Sequence, residues 1–166
     1  MQTSSRAGTQ RRIQVLLLAL ALPQAAVSAW AILAPRLFYD AFPAPGHPWV
    51  GSLGPYNEHL IIDYGASSLA LVVISLMAVR RPGRTITIAA AIGWIAWTFP
   101  HLLFHLAHAD ALPPFDSVLN ATVVVIGATL SVFLLIAAHA LPDQADRAAM
   151  DPLGDGSASP RKASPR

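Results

Sequence analysis

Four long apolar runs constrain this chain more than any other feature of its sequence. They cover residues 13–34, 58–79, 85–108 and 117–141. Each is close to the ~20 residues that a helix needs to cross a ~30 Å hydrocarbon layer. Hydrophobic residues make up 54% of the 166 residues and charged residues only 12%, which is an unusual composition for a soluble domain. The runs therefore predict an all-α integral membrane protein, built as a bundle of four transmembrane helices.

The basic residues predict how this bundle is oriented. Ten of the eleven lie at the chain ends or in the turn between the second and third spans: Arg6, Arg11, Arg12, Arg80, Arg81, Arg84, Arg147, Arg161, Lys162 and Arg166. Only Arg36 lies in the remaining connections. Because basic residues concentrate on the cytoplasmic side of a membrane, both termini are expected in the cytoplasm. The excess of Arg over Lys and the abundance of Ala are typical of GC-rich bacterial genomes, so the expected location is the bacterial cytoplasmic membrane.

The two ends of the chain are expected to lie outside the four-helix domain of residues 13–141. Residues 1–12 form a short cytoplasmic segment in this interpretation. Residues 142–166 are rich in Pro, Gly, Ser and charge, and this composition predicts a disordered cytoplasmic tail. The N-terminal "RR", "LLLALAL" and "AVSA" also resemble a secretory signal that is cut after Ala29. A retained span is favoured because the apolar run continues to Ala34, beyond a typical signal core.

Composition also limits the chemistry and the partners. The chain has no cysteine, which excludes a disulfide framework, a thiolate metal site and a cysteine nucleophile. The net charge of +2 comes from basic residues beside the apolar runs, so nucleic acid is not an expected partner. The expected partners are membrane lipids and either a second copy of the chain or another subunit of a membrane complex.

Polar side chains inside the second and third spans point to a site. In "PHLLFHLAH" the histidines His101, His105 and His108 recur at spacings of four and three, which places them on one face of a helix. In "YNEHLIIDYGASS" the side chains of His59 and Asp63 share a face in the same way. The small residues that follow Asp63, beginning with Gly65, predict that another helix packs closely against this span.

We expect the two polar faces to meet near the outer leaflet. A lone carboxylate at the centre of a membrane costs about 2.5–3.5 kcal/mol on insertion scales, so Asp63 is expected to face the bundle. There it would orient His101 or His105, or act as a proton relay or general base. The expected metal ligands are His59, His101, His105 and His108, and the metal Zn, Fe or Cu, with haem as an alternative. The residues expected to line the pocket are Tyr56, Glu58, Trp94, Trp97 and Asn120, and His47 in the outer loop is a candidate lid.

The stretches "YNEHLIIDYGASSLAL" (56–71) and "FPHLLFHLAH" (99–108) resemble small four-span bacterial membrane proteins of the DoxX-like group. The resemblance covers roughly residues 50–140. It implies a membrane component associated with oxidoreductases, and it assigns no catalytic residue.

The hypothesis is therefore a membrane protein with a His/carboxylate site near the outer leaflet that binds a transition metal or redox cofactor. Two alternatives remain open. One is a lipid- or sterol-binding protein, or an isomerase, with Asp63 and the histidines as an acid–base pair. The other is a non-catalytic accessory subunit of a membrane complex, in which the polar residues only fix the helix register. The sequence leaves undecided whether the chain is an enzyme.

Overall fold

The computed structural model describes the chain from Gln2 to Leu141, with side chains from Ala7 onward, so the predicted tail of residues 142–166 lies outside the described residues. The elements in chain order are α1 (Gln2–Leu33), α2 (Pro35–Ala41), β1 (Pro43–Ala44), β2 (His47–Pro48), α3 (Glu58–Arg80), α4 (Arg84–Ala107) and α5 (Pro114–His139), with 3₁₀ turns at Gly51–Leu53 and Ala109–Ala111. Within this described part, the all-α prediction is confirmed, and the only sheet is the two-residue hairpin of β1 and β2.

Four of these helices are long and apolar enough to cross a membrane. The segments that meet this condition are Ala7–Leu33, Glu58–Arg80, Arg84–Ala107 and Pro114–His139. The first helix begins earlier than the predicted span, because it continues through the polar residues 2–12 that precede the apolar run. The other three helices begin and end within a few residues of the predicted bounds.

The four long helices form a ring in which every neighbour is antiparallel. The closest contacts join α1 to α3 and α4 to α5, and contacts of α1 with α5 and of α3 with α4 close the ring. Gly65 allows the first of these contacts, because a Cβ atom there would lie only 2.8 Å from Cγ1 of Ile32. One turn along, the hydroxyls of Ser28 and Ser68 are hydrogen-bonded at 2.8 Å and fully buried. The predicted close approach of another helix to the second span is therefore confirmed, and the approaching helix is α1.

The two ends of the bundle differ in their packing. At the end that carries the α3–α4 turn, which we call the terminal end, an aliphatic core surrounds Ile13, Leu17 and Leu134. Trp94 is 2% exposed and packs against this core, and its Nε1–H donates to Ser75 Oγ at 2.9 Å. Trp94 thus belongs to the core, and its only hydrogen-bond donor is satisfied inside the bundle.

The opposite end, which we call the loop end, carries the connections 34–57 and 108–113. Residues 34–57 fold back on the bundle through an aromatic cluster around Phe38, with Trp30, Tyr39, Phe42, Tyr56 and Tyr64 in contact. Arg36 pairs with Asp40 at 2.8 Å and lies over the ring of Tyr56. The hydrogen bond to Asp40, together with its charge, raises the pKa of Arg36.

A tight turn positions His47 in this connection. Ala44 pairs with His47 in the hairpin, so Pro45 and Gly46 are the two central residues of the turn. Gly46 has a φ of +87°, which is the conformation that the third residue of a type II turn requires and that glycine adopts without strain.

Candidate functional site

The core of the candidate site is a pair of histidines one turn apart near the loop end of α4. The Nε2 atoms of His101 and His105 lie 3.2 Å apart. His105 is buried and His101 is half-buried. The pair therefore keeps two ring nitrogens close together in a place where water has little access.

Aromatic rings hold this pair against the neighbouring helix. The ring of Trp97 is nearly parallel to that of His101, with 10° between the planes and 6.1 Å between the centroids. Trp97 in turn contacts the ring of Tyr64 on α3 at 5.3 Å. Because both contacts are ring to ring, they restrict the imidazole of His101 without using its nitrogens.

His59 and Asp63 form a second pair, which lies elsewhere. His59 Nε2 and Asp63 Oδ2 are 3.3 Å apart on α3, and their side chains are 87% and 58% exposed. The buried residues of α3, among them Gly65 and Ser68, lie on the opposite side of the helix. The structure thus differs from the expected arrangement, in which Asp63 faces the bundle and orients His101 or His105.

The physical reason for this difference is the contact between α1 and α3. At 100° per residue, Asp63 lies about 200° from Gly65 around the helix axis. The backbone approach at Gly65 turns that side of α3 towards α1, so Asp63 and His59 face outward. Glu58 is also exposed, at the start of α3, where it accepts a hydrogen bond from the hydroxyl of Tyr56 at 3.3 Å.

His108 is separate from the pair as well. Its Nδ1–H donates to the carbonyl oxygen of Phe104 at 2.8 Å, and its ring stacks on that of Phe104 with centroids 4.2 Å apart. The side chain is exposed at the C-terminal end of α4. Within residues 2–141, no three His, Cys, Asp or Glu side chains come together as a group that could hold a metal ion. The expected set of four histidine ligands is therefore not assembled in this structure.

Two polar residues on α5 are buried at the same end of the bundle. Asp116 is 5% exposed and Asn120 is 6% exposed. Asp116 Oδ1 accepts a hydrogen bond from Nδ1–H of His47 at 2.8 Å, which joins the connection 34–57 to the start of α5. His47 was a candidate lid from the sequence, but Asp116 was not foreseen. An acid in the first turn of a helix is common, and no local pattern links it to a histidine 69 residues away.

A separate shallow cavity of about 310 Å³, open to the surface of the bundle, lies between α4 and α5. Its lining is almost entirely apolar and consists of Phe99, Leu102, Val125, Ala128, Thr129, Val132 and Phe133. Neither tryptophan of α4 and no ionisable side chain is among these residues. The cavity therefore offers a place for an apolar group and provides no acid or base.

Comparisons of this chain with protein-family models, with curated proteins and with solved structures give no match.

Proposed function

We propose that this chain is a multi-pass protein of the bacterial cytoplasmic membrane that binds a divalent transition-metal ion through His101 and His105. Both termini lie in the cytoplasm in this proposal, which places the loop end at the outer leaflet. The distribution of basic residues supports the orientation. The observation that carries the metal site is the 3.2 Å separation of the two Nε2 atoms.

This separation is close to that of two ligands on one ion. Imidazole nitrogens bind zinc at about 2.0–2.1 Å, so two of them at a tetrahedral angle are about 3.3–3.4 Å apart. The two nitrogens therefore need to move apart by only a few tenths of an ångström. The two rings, whose planes are 77° apart, must also turn so that both lone pairs point at the ion. The i, i+4 spacing is the one that helical zinc sites use for their two histidines.

Metal binding exchanges one hydrogen bond for two coordinate bonds. In the metal-free pair, Nε2–H of one neutral ring donates to the unprotonated Nε2 of the other. For both Nε2 atoms to bind an ion, the donor ring moves its proton to Nδ1. Both rings remain neutral through this tautomer change, so no net proton has to be released from the pair.

The ligand chemistry favours a particular group of metals. Neutral imidazole suits Zn, Cu, Fe and Ni, and the chain supplies no thiolate. Two histidines on opposite sides of a haem iron would need nitrogens about 4 Å apart at comparable bond lengths. The 3.2 Å separation is too short for that arrangement, so the geometry favours a single ion over a haem with two axial histidines.

The test is a titration with Co²⁺, whose visible absorption reports on nitrogen coordination. Untagged protein would be purified in mild detergent, stripped with a chelator and titrated beside the variant His101→Ala/His105→Ala. We expect one ion per chain in the parent protein and loss of the absorption band in the variant. The matched control is His59→Ala/Asp63→Ala, which removes a pair of the same spacing and should leave the band intact. Equal binding by the His101→Ala/His105→Ala variant, or no binding by the parent, would overturn the proposal.

The cavity between α4 and α5 supports a second candidate function, the binding of an acyl chain or sterol. Filling it with Ala128→Phe should reduce the lipid that copurifies with the protein, as measured by mass spectrometry. Val123→Phe adds the same ring at an exposed position of the same helix and serves as the control. Equal lipid content in the two variants would argue against this candidate.

A further inference from the structure

We propose that Asn120 is the third protein ligand of the metal held by His101 and His105, through its carboxamide oxygen. This inference rests on the proposed function and completes its site with a residue from a second helix. It gives a donor set of two imidazole nitrogens and one amide oxygen.

The packing of α4 on α5 places Asn120 opposite His105. Cγ2 of Thr98 lies 3.6 Å from the position that a Cβ atom would take on Gly127, which fixes the register of the two helices. His105 follows Thr98 by seven residues, and Asn120 precedes Gly127 by seven. Seven residues are about two turns and about 10.5 Å, with a rotation of only about 20°. Because the helices are antiparallel, both steps lead towards the loop end, and ideal helix geometry brings His105 and Asn120 to about the same level of the interface between α4 and α5.

Burial supports the same assignment. Asn120 is 6% exposed and His105 is 9% exposed, as expected for two side chains inside one helix–helix interface. In the described part of the chain, the carboxamide of Asn120 makes no hydrogen bond to another residue. The neighbouring Asp116, in contrast, is hydrogen-bonded to His47. The carboxamide oxygen of Asn120, an acceptor with two lone pairs, is therefore free to coordinate a cation.

Asp116 is less suited to be the third ligand. It lies one turn from Asn120 on the same buried face of α5, and its Oδ1 already accepts from His47 at 2.8 Å. With Asn120 as the third ligand, all three protein donors are neutral. A four-coordinate ion then keeps one position for water or a small ligand. Such an open position is typical of zinc sites that act on a ligand, whereas structural zinc sites are closed by four protein donors.

The experiment extends the Co²⁺ titration to Asn120→Leu and Asn120→Asp. The leucine variant should bind Co²⁺ at least about tenfold more weakly, the scale on which even supporting groups of a metal site act. The aspartate variant should bind more tightly, because its oxygen is charged, and should shift the absorption band. Ser131→Ala is the control, since Ser131 is buried on the same face of α5 several turns away and should leave affinity and band unchanged.

The outcomes separate this inference from the proposed function. If His101→Ala/His105→Ala abolishes the band but both Asn120 variants match the parent protein in affinity and band, the histidine site stands and Asn120 is not a ligand. If the histidine variant keeps the band, the proposed function fails, whatever Asn120 does. Should Asn120→Leu fail to fold in detergent, the aspartate variant decides alone, and an unshifted band would overturn the assignment.

Discussion

Two pairs of side chains with the same i, i+4 spacing lie on two neighbouring helices and have opposite surroundings. His59 and Asp63 on α3 are 3.3 Å apart and largely exposed. His101 and His105 on α4 are 3.2 Å apart and buried or half-buried. The spacing is enough to bring each pair together. What a pair can do is decided by the rotation of its helix about its own axis, which the neighbouring helices set.

The largest expected effect is on metal affinity. His101→Ala should weaken Co²⁺ binding by about a hundredfold or more, because the site loses one of its two imidazole ligands in a place where water has little access. Asp63→Ala should change the affinity by less than about twofold, because that side chain faces away from the bundle. Isothermal titration calorimetry on the two variants measures both. A large effect of Asp63→Ala would show that the two pairs act together and that the contrast between them is wrong.

The rotation of α3 about its own axis can be tested by substitution of Gly65. Gly65→Val should destabilise the protein by about 2–3 kcal/mol, the usual scale for added bulk in a packed interior. A Cβ atom there would meet Ile32 at 2.8 Å and the carbonyl oxygen of Ser28 at 3.1 Å. Ala66→Val adds similar bulk to the adjacent, exposed position and should cost less than about 0.5 kcal/mol. Thermal or denaturant unfolding in detergent compares them, and equal stabilities would mean that the contact of α1 with α3 does not set the rotation of α3.

The sequence predicts the helices well but leaves their rotation undetermined. Each apolar run becomes a helix, and except for the earlier start of α1 the bounds are close to those expected, because length and composition are local properties. The contact between His101 and His105 also follows from spacing alone. For α3 the decisive signal was present, since Gly65 lies about 200° from Asp63 on a helix. Both cannot face the same neighbour, and close packing at Gly65 prevails over the preference of Asp63 for the interior.

Contacts between distant segments could not be predicted in the same way. His47 and Asp116 come together because residues 34–57 fold across the loop end, and no periodic pattern in either segment indicates the other. Asn120 was expected to line the pocket. Its position opposite His105 along the bundle depends on the contact between Thr98 and Gly127. That contact is set by side-chain packing between two helices, which the sequence of either helix alone does not indicate.

A smaller effect is expected when the spacing is kept and the surroundings are changed. Asp63→His, introduced into His101→Ala/His105→Ala, creates a histidine pair of i, i+4 spacing on the exposed side of α3. We expect it to restore Co²⁺ binding at an affinity at least about tenfold below that of the parent, because the bundle does not enclose that pair and no amide from a second helix adds a third donor. Affinity equal to that of the parent would show that spacing suffices and that burial and Asn120 add nothing.

The smallest effect concerns the exposed start of α3, beside the pair of His59 and Asp63. Desolvation of Tyr56, and then the charge of Glu58 nearby, raise the pKa of Tyr56 above its usual value of 10.0. The neutral phenol is thus favoured by folding, and its small contribution to stability is complete below pH 10 and lost as the pH rises through the higher pKa of the folded state. Glu58→Gln should lower this pKa slightly, as followed by phenolate absorption against Tyr56→Phe, while Co²⁺ affinity stays constant. A change in metal affinity in Glu58→Gln would mean that the exposed end of α3 is energetically coupled to the histidines of α4. The two pairs would then influence each other although their side chains are not in contact.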